Sequence, residues 1–163
     1  MNGISNPRSK PVLKYKYLNK NRLLPIMAIK KRFFIAGFVI LILNIIWEFS
    51  HHFLYVDLSG IPKYLHLIIA SFADTFILFS IFAIISLKHK NLNWIKNPSK
   101  FDYLVVIFLG LIIAIYIEII NLSLGRWEYT AAMPTLFGIG ISPLIQLALI
   151  GIISLIFIKK IKR

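Results

Sequence analysis

Long apolar runs alternate with short basic segments along the chain. Four runs of about 20 residues are each long enough to cross a hydrocarbon core of about 30 Å as an α-helix. They are residues 33–55, 65–87, 103–122 and 136–158. Helices are expected because a spanning segment has to satisfy its backbone hydrogen bonds internally, and the runs lack the alternation of barrel strands. The pattern predicts an all-α polytopic membrane protein with four transmembrane helices in a bundle.

Composition supports this class and excludes others. Hydrophobic residues make up 58% of the 163 residues, only six residues are acidic, and there is no cysteine. The chain therefore has the length of one domain and is too apolar for a soluble one. The absence of cysteine excludes disulfides and thiolate metal sites. A net charge of +13 alone would suit nucleic-acid binding, but the basic residues lie between the apolar runs, which disfavours a nucleic-acid partner.

The distribution of positive charge predicts an orientation. Seventeen of the 19 lysines and arginines lie in residues 1–32, 88–100 and 159–163. The positive-inside rule places these segments, and so both termini, in the cytoplasm of a cell whose inner membrane holds the protein. The chain then divides into a basic N-terminal segment, a transmembrane domain over residues 33–158 and a basic tail. The basic segments are expected to lie near anionic headgroups, with Trp94 as an interfacial anchor.

Every predicted span carries a strongly polar side chain in its outer half. At 1.5 Å per residue, Glu48 and Glu118 each lie about 22 Å from the cytoplasmic end of their helix. Charged groups at such depth turn away from lipid because their exposure costs several kcal/mol. We expect an outer-facing polar pocket inside the membrane, formed by Glu48, His52, Asp74, Glu118 and Gln146.

Two interpretations of these polar groups are open. At least one of the three carboxyls is expected to be neutral at pH 7, or paired with Arg126 or a histidine, which suits a functional site. The alternative is structural, because buried polar side chains also join helices through hydrogen bonds worth about 0.6 kcal/mol on average. The structural interpretation accounts best for Gln146 and Asn121.

The outer loop and the start of the last span are rich in helix breakers. The segment reads GRWEYTAAMPTLFGIGISPLIQ over residues 125–146. It predicts either a short re-entrant cap before the fourth helix or an ordinary turn with interfacial aromatic residues. The residues expected to break the helix are Pro134, Gly138, Gly140 and Pro143. Those expected at the rim of the pocket are His51, His66, Asn121, Arg126, Trp127 and Tyr129.

Metal binding is a weaker hypothesis. Glu48 and His51 form an E-x-x-H pair, the spacing used by carboxylate metal sites in helical bundles. Such sites need a second E-x-x-H, and the chain has none. The candidate ligands are Glu48, His51, Asp74 and Glu118, but no metal is assigned and no cofactor is predicted. Zinc-protease, serine-hydrolase and phosphate-loop motifs are absent as well.

The polar pattern as a whole resembles that of a group of small four-span bacterial integral membrane proteins. The resemblance lies in the WE pair of the first span, the acidic residues of the second and third, and GRWEYT…MPT…GIG…SP…Q. It covers roughly residues 40–150 and implies a shared fold without implying a reaction. It also implies a shared site at Glu48, Asp74, Glu118, Arg126, Trp127, Tyr129, Pro134, Pro143 and Gln146.

Three functions are compatible with this sequence. The first is binding or handling of a small or lipidic ligand in the pocket, with proton coupling through Glu48, Asp74 or Glu118. The second is a membrane-embedded isomerase or hydrolase that uses the same carboxyls with His51 or His52 as acid and base. The third is a non-catalytic assembly partner, and homo-oligomerisation is compatible with all three.

Overall fold

The computed structural model describes residues 11–56 and 62–161, with side chains from residue 31 onward. It is mostly helical. The helices are α1 (Pro11–His51), α2 (Lys63–His89), α3 (Lys100–Ser123) and α4 (Ile141–Lys160). Short 3₁₀ helices cover His52–Leu54 and Leu92–Lys96, and the two-residue strands β1 (Thr135–Leu136) and β2 (Ile139–Gly140) form an antiparallel hairpin.

Within residues 11–56 and 62–161, four helical segments are long and apolar enough to cross a membrane. They are Lys31–Leu54, Lys63–His89, Lys100–Ser123 and Ile141–Lys160. The prediction of a mostly helical protein with four such helices is confirmed, and it indicates a multi-pass membrane protein.

Two helix boundaries differ from the sequence expectation. Helix α1 extends back to Pro11, so that residues 11–30, assigned to the basic N-terminal segment, continue the first helix. Helix α4 begins at Ile141, five residues later than expected, because residues 135–140 form the hairpin instead. Phe137 and Gly138 turn the hairpin with positive φ angles of 53° and 80°. The helix breakers of this segment therefore make a hairpin before α4.

Helix α1 has one buried face. Residues spaced three or four apart along it, from Phe33 through Ala36 and Ile40 to Asn44 and Glu48, are buried. Such spacing gives one stripe on a helix. The stripe is apolar in its first half and polar in its second. The same helix therefore contributes to an apolar core at one end of the molecule and to a polar site at the other.

Helices α3 and α4 pack closely because small residues lie between them. A Cβ added to Gly110 would lie 3.0 Å from the backbone nitrogen of Ala148, and one added to Gly151 would lie 2.5 Å from Val106 Cγ1. Small residues allow helix backbones to approach in membranes, where burial of apolar surface drives no association. The close packing fixes the position of α4 and its polar side chains relative to α3.

The connection between α2 and α3 is held by polar contacts. Ser99 and Asp102 form a capping box at the start of α3, and His89 Nε2 lies 2.8 Å from Asp102 Oδ1. Trp94 donates from Nε1 to Ser86 Oγ at 2.7 Å and is buried. The expectation that Trp94 is an interfacial anchor is therefore wrong, because its indole N–H finds a partner inside the protein.

Candidate functional site

A cavity of about 340 Å³ lies between the four helices at the end of the molecule that carries the hairpin. Its size falls within the range of about 300–1,000 Å³ that is usual for small-molecule sites. The five residues predicted to form the pocket all line it: Glu48, His52, Asp74, Glu118 and Gln146. The apolar part of its wall is formed by side chains that include Leu67, Ala70, Ala114, Ile117 and Leu147.

Gln146 joins three helices at the floor of the cavity. Its Nε2 lies 2.7 Å from Asp74 Oδ2, 2.8 Å from Glu48 Oε1 and 3.4 Å from Asn44 Oδ1. An amide nitrogen carries two hydrogens, so the two shorter contacts use both of its donors. Gln146 is itself buried. One amide therefore holds the carboxyls of α1 and α2 side by side.

A second polar link between α1 and α2 lies beneath this floor. Asn44 donates from Nδ2 to Thr75 Oγ1 at 3.2 Å, and Thr75 donates to the Ser71 carbonyl at 2.7 Å. Asn44 is fully buried. The link satisfies polar groups that would otherwise be unpaired at membrane depth, each of which would cost several kcal/mol.

His51 lies at one side of the cavity with both ring nitrogens near polar atoms. Its Nδ1 lies 2.9 Å from Ser142 Oγ on α4, and its Nε2 lies 3.5 Å from Glu48 Oε2. The rings of Trp47 and Tyr55 pack against the imidazole, with centroid distances of 5.9 Å and 5.5 Å. These contacts fix the orientation of the ring and direct Nε2 toward the carboxyl.

Glu118 connects α3 to the loop between α3 and α4. Its Oε2 accepts hydrogen bonds from Trp127 Nε1, at 3.2 Å, and from the Tyr129 hydroxyl. The Tyr129 oxygen in turn accepts from the Gly140 backbone N–H at 3.0 Å. Burial, followed by the bond to Glu118, raises the pKa of Tyr129 above its usual range, so the phenol stays a donor. The carboxyl therefore anchors both the loop and the hairpin.

The loop between α3 and α4 also pairs with the end of α1. Val56 N donates to Glu128 O at 3.0 Å, and Thr130 N donates to Leu54 O at 2.9 Å, as in an antiparallel bridge. Tyr55 packs against the Tyr129 ring at a centroid distance of 5.5 Å. The loop is thus held to α1 by its backbone and to α3 by Glu118, and it closes one side of the cavity.

Only some of the residues predicted at the rim line the cavity. His51, His66 and Trp127 line the cavity, whereas Asn121, Arg126 and Tyr129 are not among its lining residues. Arg126 is exposed and donates from Nη1 to Asn121 Oδ1 at 3.2 Å. The carboxyls are therefore in contact with Gln146, His51, Trp127 and Tyr129, and the expected pairing with Arg126 is not seen among the described residues.

The four residues predicted to break the helix lie at different points of the hairpin and of the start of α4. Pro143 lines the cavity from the first turn of α4, where a proline needs no hydrogen-bond donor. The Pro134 carbonyl accepts from Ile141 N at 2.8 Å, which closes the base of the hairpin. A Cβ on Gly140 would lie 3.0 Å from Met133 Sδ and 3.1 Å from Tyr129, so only glycine fits there without displacement. Gly138 lies at the exposed turn.

The list of pocket residues drawn from the sequence missed several members of the site. Tyr55 and Lys63 line the cavity, and Ser142 and Asn44 support it. Asn44 could have been included, because it lies on the same helical stripe as Glu48. Ser142 could not, because its role depends on how the start of α4 approaches α1.

No group of three or more histidine or acidic side chains within residues 11–56 and 62–161 has the geometry to hold a metal ion. Glu48 and His51 do approach one another, while Glu118 is engaged with Trp127 and Tyr129. The weak metal candidates Glu48, His51, Asp74 and Glu118 therefore do not form a ligand cluster in the described part of the chain.

Comparison with protein-family models, with curated proteins and with solved structures finds no match to this chain. The resemblance to small four-span bacterial membrane proteins stays a prediction based on the residues that carry it.

Proposed function

We propose that the protein is a four-helix bundle of the inner membrane that binds a small or lipidic ligand in the outer-facing cavity. Both termini are proposed to be cytoplasmic, because the basic residues are concentrated on the side of residues 88–100 and of the two ends of the chain. The cavity lies at the opposite end of the helices, so this orientation places it in the outer half of the membrane.

The convergence of polar groups from all four helices carries this proposal. Glu48, Asp74, Glu118 and Gln146 come from α1, α2, α3 and α4 in turn, and all line one cavity. An apolar cavity with a few convergent polar groups is the usual form of a small-molecule site. A purely structural set of hydrogen bonds would need no cavity, and asparagine or serine would serve it at lower cost than three carboxyls.

Proton coupling is proposed to use Glu48 and Asp74. Their carboxyls share one donor, Gln146 Nε2, which lies 2.8 Å from Glu48 Oε1 and 2.7 Å from Asp74 Oδ2. Either acid can hold a proton in the cavity, and a ligand that displaces this proton would release it into solution. Measuring proton release on ligand binding in a weakly buffered solution tests this part of the proposal.

Amide variants test whether the carboxyls act or only support the fold. Glu48→Gln, Asp74→Asn and Glu118→Gln keep the size of each side chain. We expect each variant to fold and to lose the small molecule that co-purifies with the wild type, as measured by native mass spectrometry. Unfolding of all three variants, with nothing co-purifying with the wild type, would show that the polar groups are structural.

A second candidate function is an esterase-like hydrolase or an isomerase. It is favoured by His51, whose ring is held by Ser142 and faces Glu48, since a positioned imidazole next to a carboxyl can act as a general base. Hydrolysis of a fluorogenic ester by the wild type and its loss in His51→Gln would support this function. Equal rates in both proteins would exclude His51 as the base.

A further inference from the structure

Three carboxyl groups reach the cavity, from Glu48, Asp74 and Glu118. The donors that contact these acids are already engaged: Gln146 donates to two of them, and Trp127 and Tyr129 donate to the third. These acids therefore favour an occupant that brings donors of its own.

One carboxyl oxygen of Glu118 has no hydrogen-bond partner among the described residues. Glu118 is only 4% exposed and lines the cavity. Its Oε2 accepts both hydrogen bonds from the loop between α3 and α4, and its Oε1 accepts none from the described part of the chain. An acceptor at such a position is costly unless a ligand or water in the cavity donates to it.

Three basic residues of the cavity come from the ends of their helices. Lys63 and His66 belong to the first turn of α2, and His52 follows α1, where its Nδ1 contacts the Phe49 carbonyl. A fourth, His51, is held by Ser142 at Nδ1, and its Nε2 lies 3.5 Å from Glu48 Oε2. The apolar part of the wall includes Leu67, Ala114, Ile117 and Leu147.

We propose that the occupant is a protonated amine attached to a hydrocarbon group. This inference rests on the proposed function and specifies the ligand of the same site. The ammonium group donates to Glu118 Oε1, the charge of Asp74 and Glu48 in the same cavity attracts it, and the hydrocarbon contacts the apolar wall. Anionic molecules are excluded by the acids, and neutral alcohols supply a single donor where the floor has several acceptors.

A pair of probes that differ in the head group tests the proposal. The probes are n-octylamine, which is protonated at pH 7, and 1-octanol, which has the same chain. We expect octylamine to raise the unfolding temperature of the detergent-solubilised full chain and to bind at least about tenfold more tightly than octanol, as charged hydrogen bonds require. Equal binding of the two probes would overturn the amine inference while leaving the proposed pocket intact. Absence of binding by either probe, and of any co-purifying molecule, would overturn both.

Two variants test whether octylamine binds in the cavity. Glu118→Gln keeps an acceptor for the loop and directs an amide N–H₂ to the side where Oε1 lies. It is expected to weaken octylamine binding by about tenfold and to leave octanol unchanged. The matched control is Glu128→Gln, because Glu128 is an exposed acid of the same loop and does not line the cavity. An equal loss in both variants, or no loss in Glu118→Gln, would overturn the assignment. Should Glu118→Gln not fold, Asp74→Asn replaces it with the same expectation.

The amine has two possible sources, a lipid headgroup or a free hydrophobic amine. Native mass spectrometry from nanodiscs of phosphatidylethanolamine or of phosphatidylglycerol separates them. Selective retention of phosphatidylethanolamine, reduced in Glu118→Gln, supports the lipid source. Octylamine binding that is the same in both nanodiscs, without retained lipid, supports the free amine. Retention of phosphatidylglycerol at the site would overturn the proposal.

Discussion

At the scale of single residues, Gln146 shows how the site depends on a few polar contacts. Its amide is the donor shared by Glu48 and Asp74, which come from different helices. An apolar side chain at this position would leave two buried carboxyls facing each other without a donor between them. The residue is therefore expected to matter more than an average buried polar group in a membrane protein.

We predict that Gln146→Leu lowers the free energy of unfolding by about 2 kcal/mol, because hydrogen bonds to charged or acidic groups are worth more than neutral ones. Reversible unfolding in mixed detergent micelles measures this. Asn121→Leu is the control, because Asn121 donates to the Ile117 carbonyl of its own helix and accepts from the exposed Arg126. Equal losses of unfolding free energy in the two variants would contradict the prediction that Gln146 stabilises the fold more than Asn121 does.

The raised pKa of Tyr129 predicts a pH dependence. In the unfolded chain the phenol ionises near pH ~10, whereas in the folded protein it keeps its proton to higher pH because it is buried and donates to Glu118. Its stabilising contribution is therefore full below pH ~10 and is lost as the pH rises toward the folded pKa. Tyr129→Phe should show a shallower loss of stability from pH 9 to 11 than the wild type, with Tyr116→Phe, an exposed tyrosine on α3, as the control.

The acids and the amide of the cavity could be predicted from the sequence. Burying such groups in a membrane costs free energy, so polar residues inside apolar runs indicate a site. The sequence could not predict which of them touch. By its charge, Arg126 was the expected partner for a carboxyl. The backbone turn after α3 instead leaves Arg126 exposed and hydrogen-bonded to Asn121. Trp127 and Tyr129 are the residues that donate to Glu118. The partners of Glu118 depend on the path of the loop, which local pattern does not specify.

At the scale of elements, the tight contact between α3 and α4 sets the geometry of the site. Gly110 faces the backbone of α4, which cannot give way as a flexible side chain can. The hairpin before α4 brings Gly140 to the Tyr129 hydroxyl, so α4, the loop and α3 are positioned together. From the sequence, glycines and prolines in this segment indicated an interruption before the last helix, but not that it would be a two-stranded hairpin.

We expect Gly110→Ala to destabilise the protein by about 1–3 kcal/mol, because its new methyl group would press on the α4 backbone. The matched control is Gly37→Ala on α1, where the nearest atom is Phe79 Cε2 at 3.6 Å, an ordinary contact. That change should be neutral or stabilising by up to about 1 kcal/mol, because alanine favours helix. Unfolding in detergent compares the two. Tolerance of alanine at Gly110 would show that the helices are further apart than described.

At the scale of the whole molecule, the spanning helices follow from the sequence more directly than the cavity does. The apolar pattern alone predicted four helices, and the described residues contain four that are long and apolar enough to span a membrane. The start of α1 was predicted less well, because a basic segment with a proline at position 25 has no apolar stripe to mark it as helix. The cavity depends on the way four helices pack, which no single segment specifies.

The proposed orientation predicts where reagents reach the chain. The sequence contains no cysteine, so single cysteines report without background. In intact cells, a membrane-impermeant maleimide should label Ala132→Cys in the outer loop and should not label Asn97→Cys between α2 and α3. Both positions are exposed. Labelling of Asn97→Cys alone would place the basic segments outside and reverse the proposed topology.

If the cavity between the helices holds a ligand, filling the cavity should abolish binding. Ala70 lines the cavity, whereas Ala73, three residues along α2, is exposed and does not line it. Ala70→Leu adds volume inside the site, and Ala73→Leu adds the same atoms outside it. The measurement is the small molecule retained by each purified protein in native mass spectrometry. We predict retention by the wild type and Ala73→Leu and loss in Ala70→Leu; equal retention by all three, or none by any, would contradict the claim.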